Sequence, residues 1–217
     1  KGAYFHSVFG NLGATLSGIA RAIKIRRSRG EIPEDEIVIV MGIAGDGGTA
    51  DIGIQALSGA WERGENIIYI EYNNEAYMNT GIQGSGQTSF LGFTTTTTEG
   101  KRQWPKNVPA ILWAHHRIGS NGYIATGATS QISDLQRKIQ KAIKHYLSGK
   151  GPAFIEVFAS CVPGHRINPE EAAKIKDFEL AAGAVVAVEY QDGLLKLAEF
   201  TPEPGKREPI STSMIMQ

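Results

Sequence analysis

A chain of 217 residues in which 41% are hydrophobic is long enough to bury a core, and the composition is that of one globular domain. Lysine plus arginine and aspartate plus glutamate both number 22, so no net charge attracts the chain to nucleic acid or to an anionic membrane. No apolar run approaches the roughly 20 residues of a membrane span and no signal peptide is visible, so we expect a cytoplasmic protein without nucleic-acid or membrane partners.

The cysteine count also indicates the kind of cellular compartment. The single cysteine, Cys161, excludes an internal disulfide framework and fits a reducing environment. The chain begins with Lys1 rather than methionine, which suggests a fragment or a processed form.

The first half of the chain alternates between predicted helices and predicted strands. Apolar residues at helical spacing predict a helix over residues 9–23. Residues 37–41 and 67–70 are apolar runs typical of parallel strands buried on both faces. Between them, Thr49 is a suitable N-cap for a helix that ends at Gly64.

The second half continues this alternation after a long polar stretch. Residues 79–107 are rich in Gly, Thr, Ser and Gln, and a segment of this length inside a domain is typical of either a binding loop or a disordered loop. The elements predicted after it are a short helix (109–116), a strand (123–126), a strongly amphipathic helix from Ser130, a strand (153–158), a helix from Pro169 and a β-hairpin (184–200). We therefore expect an α/β fold, a three-layer α/β/α sandwich with a mostly parallel sheet and a short C-terminal β-hairpin. The domain is predicted to cover residues 1–200, followed by an extended C-terminal tail, 201–217.

Polar residues follow each of the first two predicted strands. Gly45-Asp46-Gly47-Gly48 follows the first strand and Asn73-Asn74 follows the second. Both segments then lie at the carboxyl ends of strands, where open α/β sheets bind ligands. Glycines permit close approach of the backbone, and carboxylate and amide oxygens suit Mg²⁺ holding a diphosphate.

The same glycine segment supports an alternative. Gly45-Asp46-Gly47-Gly48-Thr49-Ala50 satisfies the dinucleotide pattern G-x-G-x-x-A, and Glu71 near the end of the next strand would bind the ribose of a Rossmann-type NAD-dependent dehydrogenase. Asp46 counts against this alternative because it would repel an unaccompanied diphosphate. A bound Mg²⁺ reverses that effect, and it also gives the Asn73-Asn74 pair a role.

The two segments together resemble a known family. Gly45-Asp46-Gly47-Gly48-Thr49-Ala50 and Asn74-Glu75-Ala76-Tyr77-Met78-Asn79-Thr80-Gly81, with the threonine run 94–98, are similar to the β subunit of 2-oxoacid:ferredoxin oxidoreductases, the pyruvate synthase group. The resemblance covers about residues 5–161. It implies the thiamine diphosphate-binding fold and an enzyme that, with partner subunits, oxidatively decarboxylates a 2-oxoacid to an acyl-CoA. Electrons would leave through iron-sulfur clusters to ferredoxin.

The resemblance also assigns roles to individual residues. The side chains of Asp46 and Asn74 and the carbonyl of Ala76 would bind Mg²⁺, and Asn79 would be catalytic, close to the thiazolium and the 2-oxoacid. The remaining cofactor contacts implied are Gly45, Gly47, Gly48 and Thr49 at the diphosphate, Gly10 near the cofactor, and His6, which is equally consistent with a structural histidine. Retention of Asp46, Asn74 and Asn79 argues against a scaffolding paralogue without cofactor.

The family further implies clusters and partners. Cys161 lies where family members have a late cysteine ligand of a 4Fe-4S cluster, although a lone cysteine after a buried strand is also typical of an inert core residue. The other cluster cysteines of the family lie upstream of the position of Lys1. The carboxylate that activates the aminopyrimidine belongs to a separate domain in the family, so the implied partners are pyrimidine-binding and ferredoxin-like subunits, ferredoxin, CoA and the 2-oxoacid.

The substrate is less well determined by the sequence. Pyruvate is the first expectation, but Val162-Pro163-Gly164-His165 departs from the Pro-Thr-Gly-Trp of pyruvate-type members. Oxalate and an aryl or branched 2-oxoacid therefore stay open.

Overall fold

The computed structural model describes residues 2–115, 121–191 and 194–197, in which helices and strands alternate. In chain order the elements are α1 (Leu12–Ser28), β1 (Met41–Gly45), a π-helical turn (Gly47–Asp51), α2 (Ile54–Glu62), β2 (Ile68–Asn73), β3 (Ala76–Tyr77), β4 (Gln83–Gly84), α3 (Val108–Ala114), β5 (Tyr123–Ala128), α4 (Ile132–Leu147), β6 (Ala153–Phe158), α5 (Val162–His165), a 3-10 turn (Pro169–Glu171), α6 (Ala172–Ala182), β7 (Val188–Gln191) and β8 (Leu194–Leu197).

Six strands form one sheet in the order β1-β2-β6-β5-β7-β8. The four strands β1, β2, β6 and β5 run parallel to one another, whereas β7 is antiparallel to β5 and β8 is antiparallel to β7. Every residue of β5 and β6 is buried, so both faces of the sheet are covered at its centre. The predicted α/β fold with a mostly parallel sheet and a C-terminal antiparallel pair is confirmed.

The first strand differs from its prediction. It begins only at Met41, and Ile37 is 70% exposed rather than buried. β1 is an edge strand that pairs with β2 alone among the described strands, and Ile43 within it is 63% exposed. The preceding backbone is held by a side chain instead: the Tyr146 hydroxyl accepts a bond from Val40 N (3.2 Å) and donates one to Val38 O (2.9 Å).

The helix after the glycine segment also begins differently. Asp46 already has helical backbone angles, and the π-helical turn Gly47–Asp51 closes with a bond from Ile52 N to Gly47 O (3.2 Å). Thr49 is therefore inside the turn and is not an N-cap. Its hydroxyl donates to Gly45 O (2.8 Å) and lies 3.1 Å from the Tyr69 hydroxyl, which ties the turn to β2.

The later predictions agree more closely with the structure. The strand predicted over 153–158 is β6, and the hairpin predicted over 184–200 contains β7 and β8. Residues 192–193 within the predicted hairpin, residue 116 at the end of the predicted helix 109–116, and the tail 201–217 lie outside the described residues, so the division at residue 200 stays a prediction. None of the helices in the described ranges is both long enough and apolar enough to cross a bilayer.

The packing of α1 on α2 gives a first test of the fold. A Cβ added at Gly13 would lie 2.8 Å from Leu57 N and 2.9 Å from the Ala56 carbonyl carbon, whereas one at Gly18 of the same helix would have no atom within 4 Å. We expect Gly13→Ala to lower the free energy of unfolding by about 1–3 kcal/mol because it overpacks the contact. Gly18→Ala should raise it by about 0.5–1 kcal/mol because alanine favours a helix. Urea denaturation of both variants measures this, and equal effects would contradict the close packing.

Candidate cofactor site

The parallel pairing of β1 and β2 places two loops at one edge of the sheet. Gly45, the last residue of β1, lies opposite Tyr72, one residue before the end of β2. The π-helical turn follows the first strand and the segment from Asn74 follows the second. The predicted meeting of the two polar segments is therefore realised in the structure.

Three oxygen-bearing groups converge between these loops. The carboxylate of Asp46 is 1% exposed, and one end of the Asn74 side-chain amide lies 3.0 Å from Asp46 Oδ1 and 2.9 Å from the Ala76 carbonyl oxygen. Both neighbours are acceptors, so without a cation the amide must turn its nitrogen toward them. A cation would be met by the amide oxygen instead. One carboxylate, one amide and one backbone carbonyl form a set of hard oxygen donors that suits Mg²⁺.

The charge on Asp46 is disfavoured in the chain alone. Burial raises the pKa of Asp46 to about 6, and bonds from the Ser85 hydroxyl to Oδ2 and from the nearby backbone only partly oppose this. A bound divalent cation would supply the missing compensation. Sequence reasoning did not identify Ser85, because it lies 39 positions from Asp46 within the polar loop.

Asp51 connects the elements that surround the site. Its Oδ2 accepts bonds from the Tyr77 hydroxyl (2.8 Å) and from Gly86 N (2.8 Å), and its Oδ1 accepts one from Lys106 Nζ (2.6 Å). Although burial alone would raise the pKa of Asp51, these bonds hold it below its ordinary value. The sequence assigned Asp51 no role in the site, because the partners of its carboxylate lie 26 to 55 positions away along the chain.

The polar loop after the β3-β4 hairpin is ordered by a buried lysine. Lys101 Nζ donates to three backbone carbonyls, those of Ser85 (3.1 Å), Gly86 (2.8 Å) and Thr88 (2.9 Å). This uses all three donors of the ammonium group. The bonds hold the Ser85 side of the loop against Asp46, as expected of a binding loop rather than a disordered one.

Gly47 in the glycine segment and Gly10 beside it are packed too tightly for a side chain. A Cβ at Gly47 would lie 2.2 Å from the Tyr77 ring, and one at Gly10 would lie 2.3 Å from Ile52 Cγ2 directly after the π-helical turn. The ring of Phe9 lies 3.3 Å from the Cβ position of Gly48. The structure thus brings Gly10 close to the end of the π-helical turn that contains Gly47, Gly48 and Thr49, while the contacts of these residues and Gly45 with a cofactor stay predictions.

Two of the expected cofactor residues are not part of this buried cluster. Asn79 is exposed at the tip of the β3-β4 hairpin, where Gly81 N donates to Met78 O (3.3 Å). His6 is exposed in the N-terminal segment and has no hydrogen-bond partner among the described residues. Their proposed contacts therefore stay predictions.

Cys161 lies close to the hairpin that carries Asn79. A Cβ at Gly164 would lie 3.0 Å from Cys161 Sγ and 2.3 Å from Met78 Sδ, so both sulfur atoms flank this glycine. Cys161 is half-buried, and its backbone N–H donates to His165 Nδ1 (3.2 Å). The cysteine is therefore near the candidate site, although no second cysteine exists in the chain to share a cluster with it.

A pair of buried acids lies on the sheet beneath the loops. Glu71 of β2 and Glu156 of β6 are register partners, and both are buried. Glu156 Oε1 accepts bonds from the amides of Asn73 (2.8 Å) and Gln87 (2.7 Å), whereas neither carboxylate oxygen of Glu71 has a hydrogen-bond partner in the described ranges. A fully buried Glu71 cannot reach a ribose at the surface, which removes the residue on which the dehydrogenase alternative depended.

The comparisons with known proteins decide the family. The family described as thiamine pyrophosphate enzyme, C-terminal TPP binding domain, matches residues 1–157, where thiamine pyrophosphate (TPP) is thiamine diphosphate. The chain belongs to this TPP enzyme family. Pyruvate synthase subunit PorB of Methanocaldococcus jannaschii is 41% identical over 99% of this chain and 70% of its own length. Ketoisovalerate oxidoreductase subunit VorB of Pyrococcus abyssi is 41% identical over 94% of this chain and 63% of its own length.

These relatives confirm the resemblance drawn from the sequence, and the chain spans about two thirds of their length. A solved 2-oxoglutarate:ferredoxin oxidoreductase from Magnetococcus marinus is similar in structure, with a TM-score of 0.54 and 21% identity over 74% of this chain and 51% of the other. At that identity the similarity bears on the fold alone.

The buried Glu71 of this TPP enzyme chain gives a prediction about pH. Burial, and then the charges of Glu156, Asp46 and Asp51, raise the pKa of Glu71 well above its ordinary value. The folded chain therefore holds this proton more tightly than the unfolded chain, and stability falls as the pH rises above the ordinary pKa of about 4.3. In the absence of metal at pH 8, we expect Glu71→Gln to raise Tm by about 2–4 °C or more. A shift of this size corresponds to a gain of roughly 1 kcal/mol in the free energy of unfolding.

The same substitution should change Tm little at about pH 3, more than one unit below the ordinary pKa of about 4.3, because Glu71 is then largely protonated in both the folded and the unfolded state. Glu62→Gln at an exposed position of α2 is the control for the chemical change. Thermal scans at both pH values measure the difference, and a Tm gain that is equal at the two would show that Glu71 is not held uncharged by its surroundings.

Proposed function

We propose that this chain is the Mg²⁺-TPP-binding subunit of an oxidoreductase that oxidatively decarboxylates a 2-oxoacid to an acyl-CoA. The observation that carries the proposal is the convergence of Asp46, Asn74 and the Ala76 carbonyl beside a glycine segment in a TPP-binding domain. The relatives named pyruvate synthase and ketoisovalerate oxidoreductase support a small aliphatic 2-oxoacid as substrate.

The residues of this chain would anchor the cofactor. Asp46, Asn74 and Ala76 would hold Mg²⁺ through oxygen atoms, and the backbone from Gly45 to Thr49 would face the diphosphate. When bound, TPP supplies the carbanion chemistry by which a 2-oxoacid loses CO₂. The exposed amide of Asn79 would polarise the 2-oxo group of the substrate from the hairpin tip.

A partner subunit would complete the site. Four large apolar side chains of the N-terminal segment are exposed, Tyr4 (89%), Phe5 (69%), Val8 (74%) and Phe9 (60%), and the ring of Phe9 lies beside Gly48 of the glycine segment. Exposed apolar patches of this kind mark protein interfaces. They support a pyrimidine-binding subunit that covers this edge of the sheet and brings the carboxylate that activates the aminopyrimidine.

The electron path belongs to the same proposal. Cys161, half-buried beside Met78, would supply one thiolate ligand of a 4Fe-4S cluster, with the other ligands outside residues 1–217. A ferredoxin-like subunit and ferredoxin would accept the electrons, and CoA would accept the acyl group. The reducing compartment that such clusters need is consistent with a cytoplasmic location.

Asp46→Asn tests the metal site. In the assembled oxidoreductase we expect the dissociation constant of Mg²⁺ at saturating TPP to rise by at least about a hundredfold, because a charged ligand is lost. The metal-free protein should become more stable, since the buried charge costs roughly 3 kcal/mol at neutral pH. Isothermal titration and thermal unfolding measure the two effects.

The exposed Asp35→Asn is the control for this test, because it makes the same chemical change far from any buried charge. Binding of Mg²⁺-TPP by Asp46→Asn within twofold of the unsubstituted protein would remove the metal assignment. Tight binding of NADH without metal, together with no binding of TPP, would favour the dehydrogenase instead.

A substrate panel tests the reaction. We expect the assembled complex to reduce ferredoxin with CoA and pyruvate at the highest kcat/KM, followed by ketoisovalerate, with oxalate and aryl 2-oxoacids lower. His165, in place of the tryptophan of pyruvate-type members, is the residue most expected to shift this order. Turnover that needs no CoA or no 2-oxoacid would contradict the proposed reaction.

A further inference from the structure

The loop that carries two of the proposed Mg²⁺ ligands contains an unfavourable backbone conformation. Glu75 lies between Asn74 and Ala76 and has a φ of 67°, in the left-handed region that residues other than glycine seldom adopt. Such conformations persist only where the surroundings hold them. The direction of both ligands toward Asp46 therefore depends on what holds Glu75.

Four bonds hold Glu75, and they come from different parts of the chain. Its N–H donates to Asn73 Oδ1 (3.0 Å), and its carbonyl accepts a bond from the Thr88 hydroxyl (2.5 Å). Its carboxylate accepts one bond from the Ser89 hydroxyl (2.6 Å) and one from Lys176 Nζ (3.2 Å). Only the last of these bonds brings a positive charge.

Lys176 reaches the loop from α6, 101 positions further along the chain. Its side chain is 1% exposed, and Nζ also contacts Glu179 Oε2 (2.6 Å) within the same helix. Burial lowers the pKa of Lys176, but Glu75 and Glu179 raise it by more, so the lysine stays charged. The Glu75 side chain is 18% exposed and its carboxylate lies 3.2 Å from Lys176 Nζ, so the two side chains form a largely buried ion pair.

We propose that Lys176 is a positioning residue for the metal site: through Glu75 it holds Asn74 and the Ala76 carbonyl facing Asp46. This inference rests on the proposed Mg²⁺-TPP function. Glu179 already gives Lys176 a partner within α6, so the contact with Glu75 serves the loop rather than the helix. Removing residues that orient metal ligands typically lowers metal affinity by about 10–100-fold.

The direction in which Mg²⁺ affinity changes distinguishes a positioning role of Lys176 from a purely electrostatic one. Lys176→Met removes a positive charge near a cation site, which on electrostatic grounds alone would strengthen Mg²⁺ binding. Loss of positioning would weaken it. We expect about a tenfold rise in the dissociation constant of Mg²⁺, measured by calorimetry on the assembled complex at saturating TPP. At saturating Mg²⁺ kcat should be nearly unchanged, because only the affinity for the metal is affected.

A double variant covers the case in which the single variant folds poorly. Glu75→Gln/Lys176→Met leaves no unpaired carboxylate in the loop and keeps the local net charge constant. It should show a similar rise in the dissociation constant, since the anchor is still lost. Mg²⁺ binding by either variant as tight as in the unsubstituted protein, or tighter, would overturn the proposal.

Two matched controls come from the same helix. Glu179→Gln removes the other partner of Lys176, and Lys174→Met makes the same change at an exposed position. Both should leave the affinity for Mg²⁺ within about twofold. Equal weakening in Glu179→Gln would overturn the proposal, because it would show that any damage to α6 has this effect. If the unsubstituted complex binds no Mg²⁺-TPP, the proposed function fails, which is distinct from failure of the positioning role.

Discussion

The burial of one carboxylate sets the requirements for the rest of the site. Asp46 directly follows an edge strand, is 1% exposed, and has its pKa raised by burial to about 6. A buried carboxylate needs partners, and the chain provides a hydroxyl from Ser85 and an amide from Asn74 but no cationic side chain in the described ranges. Each of these partners must be held in place by other contacts. Lys101 fixes the loop of Ser85, and the turn at Glu75 directs Asn74. The surrounding hydrogen-bond network therefore follows from the position of a single charge.

The acidic residues beneath the site add to the need for a compensating positive charge. Glu71 and Glu156 lie side by side on β2 and β6, and burial, followed by nearby charges that include Asp46, raises the pKa of both carboxyl groups. The lysines of the polar loop do not neutralise these acids, since Lys106 binds Asp51 and Lys101 binds backbone carbonyls. Negative charge at this edge of the sheet is thus only partly compensated by the part of the chain that the structure describes. A divalent cation that binds the folded chain alone would relieve the repulsion and stabilise the fold at the same time.

The sequence predicts the metal ligands better than it predicts their environment. Asp46 and Asn74 were identifiable because both follow apolar strands, and parallel strands end at one edge of a sheet. The limits of β1 were not identifiable, because an apolar run carries no information on register and Tyr146, which holds Val38 and Val40, is more than 100 positions away. Glu71 was predicted to bind a ribose because the sequence places it near the end of a strand but does not show that its side chain is buried. Asp51, Ser85 and Lys176 act through partners 26 to 101 positions distant, a relation that no local pattern reveals.

The functional groups of this chain fall into a buried set and an exposed set. The groups that would hold the metal, Asp46 and the Ala76 carbonyl, are buried and fixed from several directions, including α6 through Lys176 and Glu75. Asn79 and the apolar N-terminal segment are exposed at the same edge of the sheet. Contacts made within one chain set the affinity for the metal, whereas exposed groups acquire a defined environment only when another surface covers them. In the proposed function, this chain therefore determines how tightly the cofactor is anchored, and a partner subunit determines when the anchored cofactor can react.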